Sequence, residues 1–395
     1  MKNHHLLWAL FLVLMTSEIG EAADKPVLWN YRQLKEIKKD PSSKADRDQV
    51  IEYANYCISQ SYVVVTDKTK SFCDNPHYYS SIGIYWWPDE KSPTGLPYIN
   101  KDGIPNPEYK DFDYQRLKML SKRLKYLSIA YYFTKDIKYY NYYIQQLKAW
   151  FINEDTKMLP NFEYAQAIPG RNDNKGRAAG LTEAVEFNTI LDSYRLLNAC
   201  HLIQKPIRKA LQEWFSDFSD WMATSEIGLS CSKGNDNTAI CYDVLLLNVS
   251  LFSGQKERAK QVIVAFTDKR IKAQIDDKGR FPAELKRSKA YYYSVYNLSH
   301  IVDFMLLANN MGYDLYVTNK KMIDNAVDYL SQYIGDKDSF KYVQINDWEN
   351  SEQMLKYQID RLSKQSKASK RFSYEPELVL NITPSQRLQQ ILLYE

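Results

Sequence analysis

Histidine is scarce in this chain. Two of its five histidines sit at positions 4 and 5, leaving only His77, His201 and His300 beyond the N-terminal segment. Cysteine is also sparse and odd in number: Cys57, Cys73, Cys200, Cys231 and Cys241. An odd count leaves at least one thiol unpaired. A 57–73 or a 231–241 bridge stays open, and no C-x-x-C pattern marks a metal site. An excess of one charge is missing too. Fifty-two basic residues face 48 acidic ones, a formal net charge of +4, so charge gives no argument for a nucleic-acid partner. The one long apolar run, "LLWALFLVLM", is too short to span a membrane. It follows Lys2 and precedes the small residues of "GEAA", the pattern of a leader cleaved after Ala22. The expectation is a signal peptide over 1–22 and an exported chain, periplasmic or secreted, with no membrane span. No Gly- or Ser-rich linker interrupts residues 23–395, which therefore read as one domain.

Alternating strand patterns are nearly absent. "SYVVV" at 61–65 and "RFSYEPELVL" at 371–380 are the two candidates. Helical periodicity fills most of the remainder. Leu117, Leu120, Leu124, Leu127 and Tyr131 recur at steps of three and four, and Tyr140, Ile144, Leu147 and Phe151 repeat the pattern after a short linker. Similar segments cover 181–202, 207–222, 240–252, 258–266, 298–308 and 322–333. Serial antiparallel helix pairs predict an all-α fold: a solenoid, a bundle or an α/α toroid. No repeat of fixed length is visible, which argues against an open solenoid.

What is abundant is aromatic: 32 tyrosines and 8 tryptophans. Many fill a helical core, but two long irregular segments, 67–113 and 152–180, are rich in aromatics, Pro and Gly. Such loops in a helical protein usually carry function. In the first, "HYYSSIGIYWWPD" offers His77, Tyr79, Tyr85, Trp86 and Trp87, either as a sugar-stacking platform or as a plug over helix ends. In the second, Gln166, Arg171 and Arg177 are the polar candidates, against a plain surface loop.

Two further stretches sit at predicted helix starts. In "CSKGNDNTAICYDV", Asp236, Asn237 and Thr238 occupy the N-cap region of an apolar helix that Gly254 ends. A capped helix explains them. So does an anion site, because a helix N-terminus presents free N–H groups and a positive dipole end. In "GRFPAELKRSKAYYYSVYNLSH", Arg287 and Lys289 precede Tyr291, Tyr292 and Tyr293. Arginine grips a carboxylate bidentately and stabilises a nearby phenolate.

Taken in order, "YWWPDEKSPTGLPYINKDGIPNPE", "SIAYYFTKD", "AWFINEDTKMLPNFEYAQAIPGRNDNKGRAAGL", "PAELKRSKAYYYSVYNL" and "GYDLY" resemble the alginate lyase family of exported α/α-toroid polysaccharide lyases. The resemblance runs over roughly residues 60 to 360. It implies an incomplete α/α toroid with aromatic loops lining a cleft. It also implies β-elimination at the glycosidic bond of a uronic-acid polymer, alginate or a relative, with an acidic polysaccharide as partner and no cofactor. By motif, Tyr293 matches the family's catalytic tyrosine and Arg287 its arginine. Asn237 matches the second residue of the usual Asn-Asn-His segment. Thr238 stands where that histidine is expected and Asp236 where the first Asn is. Asn and Arg would neutralise the uronate carboxylate, which acidifies the C5 proton. Tyr293 would then act as acid and also as base, with both transfers on one face of the sugar. Glu284, three residues before Arg287, would orient it. Thr238, His77, Tyr79, Trp86, Trp87, Gln166, Arg177 and Glu284 complete the expected substrate contacts. Two rival readings stand beside this one. A glycoside hydrolase would need two of Asp236, Asp243 and Glu183 to flank the bond. The altered Asp-Asn-Thr segment also fits a degenerate lyase that only binds an acidic glycan.

Overall fold

The computed structural model describes residues 25–29, 31–369 and 384–393; the expected leader and the 371–380 strand candidate lie outside the described residues. Helices dominate. We number them α1 (Tyr31–Lys39), α2 (Lys44–Ile58), α3 (Asp113–Thr134), α4 (Ile137–Phe151), α5 (Glu186–Asn198), α6 (Lys205–Thr224) and α7 (Glu226–Ser232). They continue as α8 (Asn237–Ser253), α9 (Lys256–Phe266), α10 (Ala290–Asn309), α11 (Leu315–Ser331), α12 (Trp348–Ser369) and α13 (Pro384–Leu393).

Two kinds of helix build an incomplete α/α toroid, as the sequence implies. Outer helices have one apolar stripe. In α6 the buried residues are Ile207, Leu211, Trp214, Phe215, Phe218, Ser219 and Met222, one face at helical spacing. Inner helices are buried nearly all round. Every residue of α5 is buried, and α8 exposes little beyond its two ends. α8 packs against outer helices α6 and α9 and against its inner neighbour α10. Burial on all faces forces the polar groups of the inner helices to find partners. Asp192 of α5 accepts from the backbone N–H groups of Val27, Leu28 and Trp29, tying the N-terminal segment to the ring. Arg361 of α12 donates to Asp303 of α10 at 2.6 Å.

Strand content is small and lies in the two long loops. β1 (Ser80–Ile82) pairs in parallel with β4 (Tyr164–Ala167), joining one loop to the other across an irregular register. β2 (Trp86–Trp87) and β3 (Ile99–Asn100) form an antiparallel hairpin. The strand expected at 61–65 is not formed. Residues 61–64 are irregular and a 3₁₀ turn begins at Val65. The amide of Gln146 on α4 bonds both the N–H and the C=O of Val63 at 2.8 Å, so a side chain takes the place of a neighbouring strand. All five thiols are free, so neither candidate bridge is made.

Candidate active site

α8 and α10 begin at the same end of the toroid, and the proposed chemistry gathers at these starts. Asp236 is the N-cap of α8 and accepts from the Thr238 N–H at 3.0 Å; Gly254, at φ 80°, closes the helix as expected. Asn237 is therefore the first helical residue. α10 is capped from a distance: Gln344 Oε1 accepts from the Tyr291 N–H at 2.8 Å and the Tyr292 N–H at 3.3 Å. This holds Tyr293 in the first turn. Arg287 ends the short 3₁₀ turn Glu284–Lys286 just ahead of α10.

Asn237, Thr238, Arg287 and Tyr293 line one cavity of about 540 Å³, together with Gln166 and Arg177 from the second aromatic loop. The Arg287 guanidinium lies 3.8 Å from the centre of the Tyr293 ring. The Tyr293 hydroxyl donates to the Tyr85 oxygen at 3.1 Å. Burial, with a contribution from Tyr85, pushes the Tyr293 phenol well above its ordinary pKa, and Arg287 works against that shift. Tyr293 is thus protonated at rest and a strong base once ionised.

Sequence reasoning missed Asp102. Its carboxylate takes a two-point bond from Arg287, Nη2 to Oδ1 at 2.7 Å and Nε to Oδ2 at 3.2 Å, plus the Ser288 N–H at 3.0 Å. These bonds hold the Asp102 carboxyl down at about 2, although burial alone would raise it. Asp102 is 185 positions from Arg287, so no local spacing announces the pair. Only the Nε edge of the guanidinium is spent on it, and Nη1 remains to meet a ligand.

The expected role of Glu284 is corrected. It does not bond Arg287, which Asp102 holds. Glu284 is 1% exposed and does not line the cavity. Instead it clamps Asn237, accepting from its backbone N–H at 2.6 Å and its side-chain Nδ2 at 2.7 Å. Burial pushes this carboxyl up to about 7, against the pull of the Asn237 bonds. Because the clamp uses one N–H of the amide, the other stays available.

Several other candidates stand off the cavity. Tyr79 is wholly buried, stacks on Phe162 and donates to Glu183 at 2.7 Å, so its ring belongs to the core. His77 binds the Lys157 carbonyl through Nδ1 at 2.7 Å and is not in the lining. Trp86 and Trp87 are likewise outside the lining. Arg171 and Arg177 lie over the Trp86 ring, while the Trp87 Nε1–H donates to the Ile104 carbonyl. The tryptophans brace the loop because Gly83 lets the Trp86 indole fold back: a Cβ there would sit 2.5 Å from the ring. Arg177 donates to Gln166 Oε1 at 2.7 Å, fixing both side chains at the cavity wall. The hydrolase reading loses its carboxylate pair. Asp243 is buried in a two-point bond with Arg270 and Glu183 is sealed under Tyr79 and Ser81, leaving Asp236 as the member that lines the cavity.

The lining carries Lys118, Arg177 and Arg287 against Asp102, Glu186 and Asp236. Formal charge therefore balances, so the cavity presents no net positive field, and its polarity is set by where the individual donors point.

Compared with known proteins, residues 65–340 match the family described as alginate lyase. The chain belongs to the alginate lyase family. It is accordingly a polysaccharide lyase. A crystal structure of an alginate lyase from Bacteroides ovatus is similar at 30% identity and a TM-score of 0.84, covering 94% of this chain and 99% of that one. Alginate lyase A1-III from Sphingomonas species A1 shares the fold at 13% identity and a TM-score of 0.53, over 87% of this chain and 94% of that one. A variant of that enzyme complexed with tetrasaccharide matches at 16% identity and a TM-score of 0.54, covering 90% and 96%. None of the curated proteins matches the sequence. Among the described residues, no helix is long and apolar enough to cross a membrane.

Proposed function

We propose that the protein cleaves alginate or a closely related polyuronate by β-elimination, leaving an unsaturated uronate end. One observation carries this reading: Asn237, Arg287 and Tyr293 line a single cavity. The free N–H of Asn237 and the Nη1 edge of Arg287 neutralise the sugar carboxylate, which lowers the cost of forming the carbanion at C5. The Tyr293 phenolate takes the C5 proton. Electrons from the C–H bond form the C4–C5 double bond, the C4–O bond breaks, and the departing oxygen receives the proton from Tyr293. In the ionised state the 3.1 Å contact with Tyr85 reverses, so that Tyr85 O–H donates to the phenolate. Arg287 stacks on the same ring and stabilises its charge.

Thr238 lines the cavity where a family histidine is expected, and a hydroxyl is no general base at neutral pH. Both proton transfers then run through Tyr293 on one face of the sugar. This reading favours polymers whose C5 hydrogen and C4 oxygen share that face. Export through the 1–22 leader, to the periplasm or beyond, belongs to the same proposal. The test is a panel of uronic-acid polysaccharides. Ultraviolet absorbance follows the new double bond and mass analysis identifies the products. Unsaturated oligosaccharides from alginate are expected. Saturated hydrolysis products, or binding without turnover across the whole panel, would remove the proposal.

A further inference from the structure

A second concavity of about 420 Å³, sharing no residue with the catalytic cavity, runs along the outer face of α4. Its walls include Tyr62, Tyr140 and Tyr142, with Lys138, Lys148 and Gln145 among the polar groups. The lining contains two lysines and three carboxamides but no carboxylate. In a chain where acidic and basic residues nearly balance, that local composition is one-signed. Lys148 has no ion-pair partner among the described residues, whereas Lys138 has an exposed contact with Asp136 at 3.2 Å.

The trough is also preformed. The Tyr142 hydroxyl donates to the Gln60 carbonyl at 2.8 Å and the Tyr140 hydroxyl to the Leu202 carbonyl at 2.7 Å, so both rings are fixed by their polar tips. Tyr62 packs on Tyr142 with ring centres 4.9 Å apart, yet remains 42% exposed. The backbone beneath it is pinned by the Gln146 clamp on Val63 and by Arg123, which donates to the Ser61 carbonyl at 2.6 Å. Fixed aromatic faces, amides and ammonium groups suit sugar rings that carry carboxylates. Ile58, Ile144 and Ile207 complete the apolar part of the lining.

We propose that this trough is a second binding site for an acidic polysaccharide, holding a distal stretch of the polymer whose other segment occupies the catalytic cavity. The proposal rests on the polyuronate reading given above. Its value is avidity: a chain held at two points dissociates more slowly than one held at either.

The test is affinity electrophoresis in gels containing alginate, run with Tyr293→Phe protein so that the polymer stays intact. Mobility in polymer-free gels is the reference. Adding Lys138→Gln with Lys148→Gln, or Tyr62→Ala alone, should weaken retardation about three- to tenfold. The same substitutions in the protein that retains Tyr293 should leave turnover of a short oligosaccharide unchanged. Circular dichroism melting identifies any variant that fails to fold, and the lysine pair is exposed enough to serve if Tyr62→Ala does not. Unaltered retardation in the folded lysine variant would overturn the proposal. So would equal retardation of the parent by polyglutamate, which would reveal a generic cationic surface. Loss of the elimination reading is read separately, as a lack of unsaturated product from alginate by the protein that retains Tyr293.

Discussion

Asn237 draws its role from what holds it. A carboxamide at the start of a buried helix would be free to turn, but Glu284 takes both its backbone and one side-chain N–H. The other N–H is left free, and in the proposed mechanism it acts with Arg287 on the charge that develops during elimination. Replacing Asn237 with Ala should lower kcat about 10²- to 10³-fold, the cost of one oxyanion-type donor. Steady-state kinetics on polymer and on tetrasaccharide will check it. Glu284→Gln should fall between that variant and the native protein, because the amide still accepts one bond. In the proposed mechanism Tyr293 sets the pH dependence. Its phenol is raised well above the ordinary value by burial, and the base must be ionised to act. The rate should therefore climb through the neutral and mildly alkaline range, about tenfold per pH unit while the phenol is mostly protonated. A kcat/KM profile flat from pH 6 to 9 would contradict this. The residues at the two helix starts were legible because their motifs are local. Asp102 and the true partner of Glu284 were not, since their partners lie 185 and 47 positions away and only the fold brings them together.

At the level of elements, periodicity marks the outer helices and also the inner helices α5 and α8, and it is weakest at the start of α10. α6 shows one apolar stripe, so periodicity found it. In α10, buried over almost its whole length, the periodic pattern is blurred: the sequence predicts a helix from about Ser294, with a regular stripe only from Leu298, and the helix starts at Ala290. The cap that fixes this start comes from Gln344, 53 residues from Tyr291. Gln344→Ala should cost about 1 kcal/mol, as lost caps do. It should also reduce kcat, because the first turn of α10 carries Tyr293. A thermal melt and an activity assay on the same preparation will check both halves. The misread strand at 61–65 has a similar cause. "SYVVV" has the composition of a strand, but its backbone meets the amide of Gln146 rather than another strand.

For the whole molecule, the toroid must keep buried carboxyls beneath its cavity, and this leaves a signature in stability. Glu183, under Tyr79 and Ser81, is raised by burial to about 7, as is Glu284. Each folded value lies above the value of 4.5 for an exposed Glu. Folding then favours the protonated form, so each group's contribution is complete below about pH 4.5 and is lost as pH rises through about 7. Asp102 has the opposite sign, but its window lies below pH 4. The melting temperature should therefore fall between pH 5 and pH 8, and Glu183→Gln should fall less over the same interval. Calorimetry at the two pH values checks the difference between the proteins, which cancels the other titrating groups.

The most direct measurement compares binding with chemistry in Tyr293→Phe. Titration calorimetry with an alginate tetrasaccharide should give an affinity close to that of the native cavity, since Asn237 and Arg287 are intact. Absorbance of the unsaturated product should fall by a factor of about 10³ or more, as removal of the proton-transferring group predicts. Unsaturated product formed at the native rate by the Phe variant would show that another group moves the proton.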